Sequence, residues 1–152
     1  MHSRLPVLVT FVALIAGAVA SPAQANLAGS FNLTTGTEQT PGRAKASGHV
    51  TFIGGYRPYY QAKVSGSVND ICPGDGYSAV LEINYEFGDG SYRRRKITDP
   101  NGCQAGATTF SVRSKRFGKP LSAVAIVLNE VDHDANGIPV DYGDQARKVF
   151  FP

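Results

Sequence analysis

The chain has 152 residues, a formal net charge of +3, two cysteines and no tryptophan. That length builds one core of ordinary size and not two. A balance of 15 basic to 12 acidic side chains is too even to imply a particular partner and gives no reason to expect specific nucleic-acid binding.

The chain opens with Arg4, an apolar stretch over residues 5–19, and Ala23-Gln24-Ala25. A basic start, an apolar middle and small residues at the cleavage positions define a secretory signal peptide. The apolar stretch is too short to cross the roughly 30 Å hydrocarbon core as a helix, and Pro6 and Pro22 interrupt its ends. Cleavage is expected after Ala25, leaving a secreted, extracellular, monomeric protein with no membrane span. Residues 1–25 are therefore the export signal, residues 26–47 a flexible N-terminal segment rich in Thr, Gly, Ala and Ser, and residues 48–152 the folded domain. Within the flexible segment, Phe31 and Leu33 alternate enough for a short strand.

Strand patterns then recur. Val50 and Phe52 alternate with polar neighbours, and Gly54-Gly55 ends the run. In residues 59–69, Tyr60, Ala62, Val64, Gly66 and Val68 share one face, with Gln61, Lys63, Ser65 and Ser67 on the other. Residues 77–87 place Tyr77, Ala79, Leu81, Ile83, Tyr85 and Phe87 on one face. The turn Gly88-Asp89-Gly90 returns the chain into residues 91–98, where Arg93 and Arg95 face one way and Tyr92, Arg94 and Lys96 the other. Glu82 and Glu86 are the cross-strand partners that would offset this charge. Thr108, Phe110 and Val112 alternate, residues 121–128 are almost continuously apolar, as in a central strand, and residues 147–151 form a last strand. Seven or eight short strands separated by Gly, Pro, Asn and Asp predict an all-β fold, an antiparallel β-sandwich of immunoglobulin-like or jelly-roll-like type, with a small closed barrel as the alternative.

Cys72 and Cys103 bracket the central hairpin. Two cysteines in an exported chain are expected to pair. The loop they close, about 30 residues, corresponds to roughly 3–4 kcal/mol in the chain-entropy treatment.

Three constellations could carry function, each with a plainer structural reading beside it. Asp132, Asp134 and Asn136, with Gly137 next and Asp141 beyond, place oxygen ligands at alternate positions as in the first half of a calcium loop; Asp and Asn-Gly also suit a hairpin turn. Tyr56, Tyr59 and Tyr60, with Arg57 among them, offer stacking surfaces for a sugar or a protein; such rings also cover core edges. Arg93, Arg94, Arg95 and Lys96 could engage a polyanion or guard an edge strand against pairing. A second basic cluster follows at Arg113, Lys115, Arg116 and Lys119. No catalytic constellation is evident: the histidines left after cleavage, His49 and His133, lie in a strand and a turn, and no Gly-x-Ser-x-Gly elbow is present. No cofactor other than calcium is suggested.

Two resemblances add to this. Tyr85-Glu86-Phe87-Gly88-Asp89-Gly90 resembles the strand-turn signature of polycystic-kidney-disease-type immunoglobulin-like domains, which implies a sandwich and carries no function. Val64-Ser65-Gly66-Ser67-Val68, Asp70, Cys72-Pro73, Asp75-Gly76-Tyr77, Asp99 and Asn101-Gly102-Cys103 resemble a group of small secreted, uncharacterised proteins of actinomycete-type bacteria. That resemblance implies export, one disulfide and a β-sandwich. The expected function is a non-catalytic binding or cell-surface interaction protein, its partner an extracellular polysaccharide, cell wall or protein. The alternative is a secreted inhibitor of an extracellular hydrolase, acting through the loops beside Cys72 or Cys103.

Overall fold

The structure, a computed structural model, describes residues 28–36, 43–54, 57–71, 77–99, 106–133 and 138–152. They form eight strands and no helix: β1 (Ala28–Thr34), β2 (Ala44–Ile53), β3 (Gln61–Asp70), β4 (Tyr77–Phe87), β5 (Tyr92–Thr98), β6 (Thr108–Arg113), β7 (Leu121–His133) and β8 (Pro139–Phe150). Two four-stranded antiparallel sheets result, one ordered β1-β2-β3-β6 and the other β5-β4-β7-β8. The sandwich reading holds, and the sheets do not close into a barrel. No helix among the described residues is long and apolar enough to cross a membrane.

Alternation in the sequence sets the core. Phe31, Leu33, Val50, Phe52, Ala62, Val64 and Val68 of the first sheet are buried against Leu81, Ile83, Tyr85, Val124, Ile126 and Leu128 of the second. β7 is buried on both faces, which explains its unbroken apolar run. On its outer side Ala123, Ala125 and Val127 stand opposite Glu86, Asn84 and Glu82 of β4. Small side chains there leave room for long charged ones to lie over them.

The sandwich reaches further toward the N-terminus than the sequence suggests. β1 is a full edge strand paired with β2 along seven residues, and β2 begins at Ala44. Parts of the segment read as a flexible arm, residues 28–34 and 44–47, thus belong to the first sheet. Thr35 fixes this junction: its hydroxyl donates to Glu130 Oε1, and it accepts from Ala44 N–H at 2.9 Å. Glu130 is buried and stands where the β7–β8 register slips between Asn129 and Val131. β8 is also longer than residues 147–151 alone would indicate.

Gly48 and Gly66 face each other across β2 and β3. A Cβ on Gly66 would lie 2.0 Å from Ser47 O, and one on Gly48 would lie 2.1 Å from Ser65 O and 2.8 Å from Phe31 Cζ. The absent side chains let Phe31 enter the core.

The two open sides of the sandwich differ. On one, β1 and β8 meet through Phe31 and Phe150, edge to face with ring centroids 6.5 Å apart. On the other, β5 and β6 are the unpaired edges, and the basic residues gather there.

Candidate functional site

The β6–β7 connection, residues 114–120, is laced onto the segment entering β3. Ser114 N–H donates to Ala62 O at 2.9 Å, Phe117 N–H to Tyr60 O at 3.0 Å, and Leu121 N–H to Tyr59 O at 2.7 Å. Ala62 N–H returns a bond to Ser114 Oγ at 3.1 Å. This lacing turns Phe117 inward, where its ring packs 5.4 Å from Tyr85 and 5.0 Å from Phe87, centroid to centroid. Phe117 thus plugs the gap between the sheets, while Lys115 and Arg116 stay exposed.

The result is an open trough beside β5. Two hollows of about 350 and 570 Å³ adjoin there, sharing Arg93, Phe117 and Gly118 in their linings. The trough's apolar lining is Tyr85, Phe87, Val112 and Phe117, and its basic lining is Arg93, Arg94, Arg95, Arg113, Lys115, Arg116 and Lys119. The two basic clusters, separate in sequence, lie on one feature. At one end Lys119 Nζ holds Asp89 Oδ2 across the β4–β5 turn. That bond, together with those from the Ser91 hydroxyl and amide, holds the Asp89 carboxyl well below its ordinary range.

The two rows of β5 have different fates. Directly opposite residues of an antiparallel pair share a face. Arg94 stands opposite Asn84, and Lys96 opposite Glu82, on the outer face. Arg94 Nε and Lys96 Nζ lie 3.3 and 3.2 Å from the Glu82 carboxylate, which is only 9% exposed. Arg94 also donates to Asn84 Oδ1 at 3.1 Å and lies 5.4 Å over the Tyr92 ring. Glu86 pairs with Arg147 of β8 at 3.1 Å rather than with β5. Arg93 and Arg95 stand opposite Tyr85 and Ile83, on the core-facing side. Among the described residues, no carboxylate lies within ion-pair distance of Arg93, Arg95, Arg113, Lys115 or Arg116.

Tyr85 lies beneath this row. Its hydroxyl is buried with no hydrogen-bond partner among the described residues. Burial pushes its pKa up, partly offset by the Arg95 charge.

The other sequence candidates fall elsewhere. Tyr59 is buried against Phe52, with centroids 5.9 Å apart. Tyr60 is half-buried under the Arg116 guanidinium, 5.5 Å from its ring centre, and Arg57 is exposed. Tyr56 lies outside the described residues. Besides the backbone bonds from Phe117 and Leu121, the tyrosine segment thus meets the basic trough through the Tyr60 ring and Arg116. Asp132 lies in β7, its backbone paired with Asp141 of β8, while Asp134 and Asn136 lie outside the described residues. Among the described residues no three His, Cys, Asp or Glu side chains converge as metal ligands. Cys72 and Cys103 also lie outside them, as do most of the loops an inhibitor would use. His49, on the exposed face of the first sheet, has Nδ1 3.0 Å from Ser30 Oγ.

Sequence reasoning missed Phe117 and Asp99. Asp99, 1% exposed, closes the other end of the fold. Its carboxylate accepts from Asp70 N–H at 3.1 Å and from the Thr108 hydroxyl at 2.8 Å, and its own N–H donates to Ala79 O at 3.0 Å. It thus ties β3, β4 and β6 together. Polar character alone marked Asp99 as a turn residue.

Compared with known protein families, curated proteins and solved structures, the chain matches none.

Proposed function

We propose that this is a secreted, non-catalytic binding protein that holds an extended anionic chain in the trough between β5 and the β6–β7 connection. The observation that carries this reading is the division of β5: Arg94 and Lys96 share Glu82, whereas Arg93 and Arg95, beside Arg113, Lys115 and Arg116, have no carboxylate within ion-pair distance among the described residues. Residues 91–95 line the trough, so it runs about 15 Å along the strand, long enough for several units of a polymer. Arginine forks suit carboxylate and phosphate groups, and uncompensated like charges in a groove raise the local concentration of an oppositely charged chain.

The test is affinity for soluble polyglutamate and polygalacturonate at rising salt. R93S/R95S and R94S/K96S remove the same net charge. The first should weaken binding at least about tenfold and the second less than about threefold, since the second removes cations that Glu82 already partly neutralises. Equal losses from both would reduce the effect to bulk charge and refute the trough.

The same proposal takes residues 1–25 as a cleaved export signal and Cys72–Cys103 as a disulfide. The Asp70–Asp99 bond supports the pairing, because the cysteines follow two and four residues beyond these joined positions. A chain spans at most about 3.6 Å per residue, so both can reach the under-7 Å Cα separation a disulfide needs. An N-terminus at Asn26 and a mass unchanged by thiol alkylation without reductant would bear this out; a mature chain that keeps residues 1–25, or that alkylates twice, would not.

A further inference from the structure

Resting on the trough reading, we propose that the ligand is an acidic polypeptide segment in β conformation, added as a ninth strand to the free edge of β5, with carboxylates at every second residue.

β5 is paired on one side only, and five of its first five residues are exposed. Its free edge therefore offers backbone N–H and C=O groups at strand spacing, which another strand matches and a sugar polymer does not. The side chains decide which strand is admitted. A residue added opposite Arg93 or Arg95 shares the core-facing side with them. A neutral strand would cover two guanidinium groups without compensation, and a basic one would add repulsion. Inward-pointing charge of this kind ordinarily protects an edge against pairing. It becomes selective when the incoming strand brings carboxylates at positions i and i+2, the separation of Arg93 and Arg95. Arg116, on the far wall, adds charge that favours the same ligand. The outer row asks for less, because Arg94 and Lys96 already share the Glu82 carboxylate. Phe117 and Tyr85 give the core-facing side of the added strand an apolar floor. Sequence selection thus comes from alternation rather than total charge.

The experiment uses the mature protein and four probes: a peptide alternating Glu with Thr, a peptide of the same composition with the Glu residues in one block, the alternating peptide N-methylated along its backbone, and polygalacturonate. The alternating peptide should bind at least about tenfold tighter than the block peptide and the N-methylated peptide, and R93S/R95S should erase that preference. Circular dichroism verifies that the variant is folded. Equal binding of alternating and block peptides, or full retention by the N-methylated peptide, would overturn strand addition while leaving an anion-binding trough. Binding of polygalacturonate with none of the peptides would overturn it in favour of a polysaccharide. Binding of no probe would overturn the trough reading as well, leaving Arg93 and Arg95 as guards of the edge.

Discussion

Replacing Asp99 by alanine tests whether one buried carboxylate holds the end of the sandwich together. Among the described residues, the side chain accepts two hydrogen bonds, from the Asp70 amide at 3.1 Å and the Thr108 hydroxyl at 2.8 Å. A bond to an ionised acceptor contributes about 1.5–3 kcal/mol. The Asp70 amide sits in a residue only 6% exposed, so its loss falls toward the upper part of that range; half-exposed Thr108 can turn to water, so its loss falls toward the lower part. The expected cost of Asp99→Ala is about 3–4 kcal/mol, a large part of the 5–15 kcal/mol typical of a domain. Asp99→Asn keeps an oxygen for the Asp70 amide and can donate to Thr108, whose hydroxyl accepts as well as donates. Its cost should be about 1–2 kcal/mol. Urea unfolding at neutral pH, with slopes of about 1–3 kcal/mol per molar, should place the alanine midpoint roughly 1–4 M below the parent, with the asparagine variant between. An alanine variant within about 0.5 kcal/mol of the parent, or less stable asparagine than alanine, would refute the reasoning.

Gly66→Val should destabilise by at least about 2 kcal/mol, because its Cβ would meet Ser47 O at 2.0 Å; a parent-like melting temperature would contradict this. Phe117→Ala removes a half-buried ring from Tyr85 and Phe87 and should cost about 2–3 kcal/mol. It should also weaken polyglutamate binding as the wall carrying Arg116 loosens, so unchanged affinity would separate Phe117 from the site. Tyr85 gives a pH signature. Its pKa is raised by burial, so both states are protonated at neutral pH, and the unfolded chain releases its proton first as pH rises past the ordinary value of 10.0. Stability should therefore fall through the alkaline range up to the folded-state pKa. Tyr85→Phe should be at least as stable near neutral pH, since it deletes an unpartnered buried hydroxyl. It should also show a shallower alkaline loss; identical alkaline slopes would contradict this.

The sandwich was legible because its strands alternate cleanly. The face carrying Ala62, Val64 and Val68 and the face carrying Ala79, Leu81, Ile83, Tyr85 and Phe87 are the buried faces observed, with Tyr59 rather than Tyr60 in the core, and the apolar run of residues 121–128 is a doubly buried central strand. β1 was underestimated because Thr, Gly and Ser surround Phe31 and Leu33. Its place depends on pairing with β2 and on the distant Glu130, and local propensity does not register either. The candidate site was legible in part. The split of Arg93 and Arg95 from Arg94 and Lys96 follows from strand period alone, but period does not say which row faces the core. The register against Tyr85 and Glu82 decides that. The joining of the two basic clusters depends on the lacing of residues 114–121 to residues 59–62, a long-range backbone contact that no sequence period encodes.

The most direct measurement is an amide NMR titration of the mature protein with polyglutamate at low salt. A trough ligand should shift Arg93, Arg95, Arg116 and Phe117 together, with smaller changes at Arg94 and Lys96 and none across Ser47 and Ser67 on the first sheet's outer face. Shifts confined to that face or to the outer row of β5, or a spectrum unmoved by ligand, would contradict anion binding in the trough.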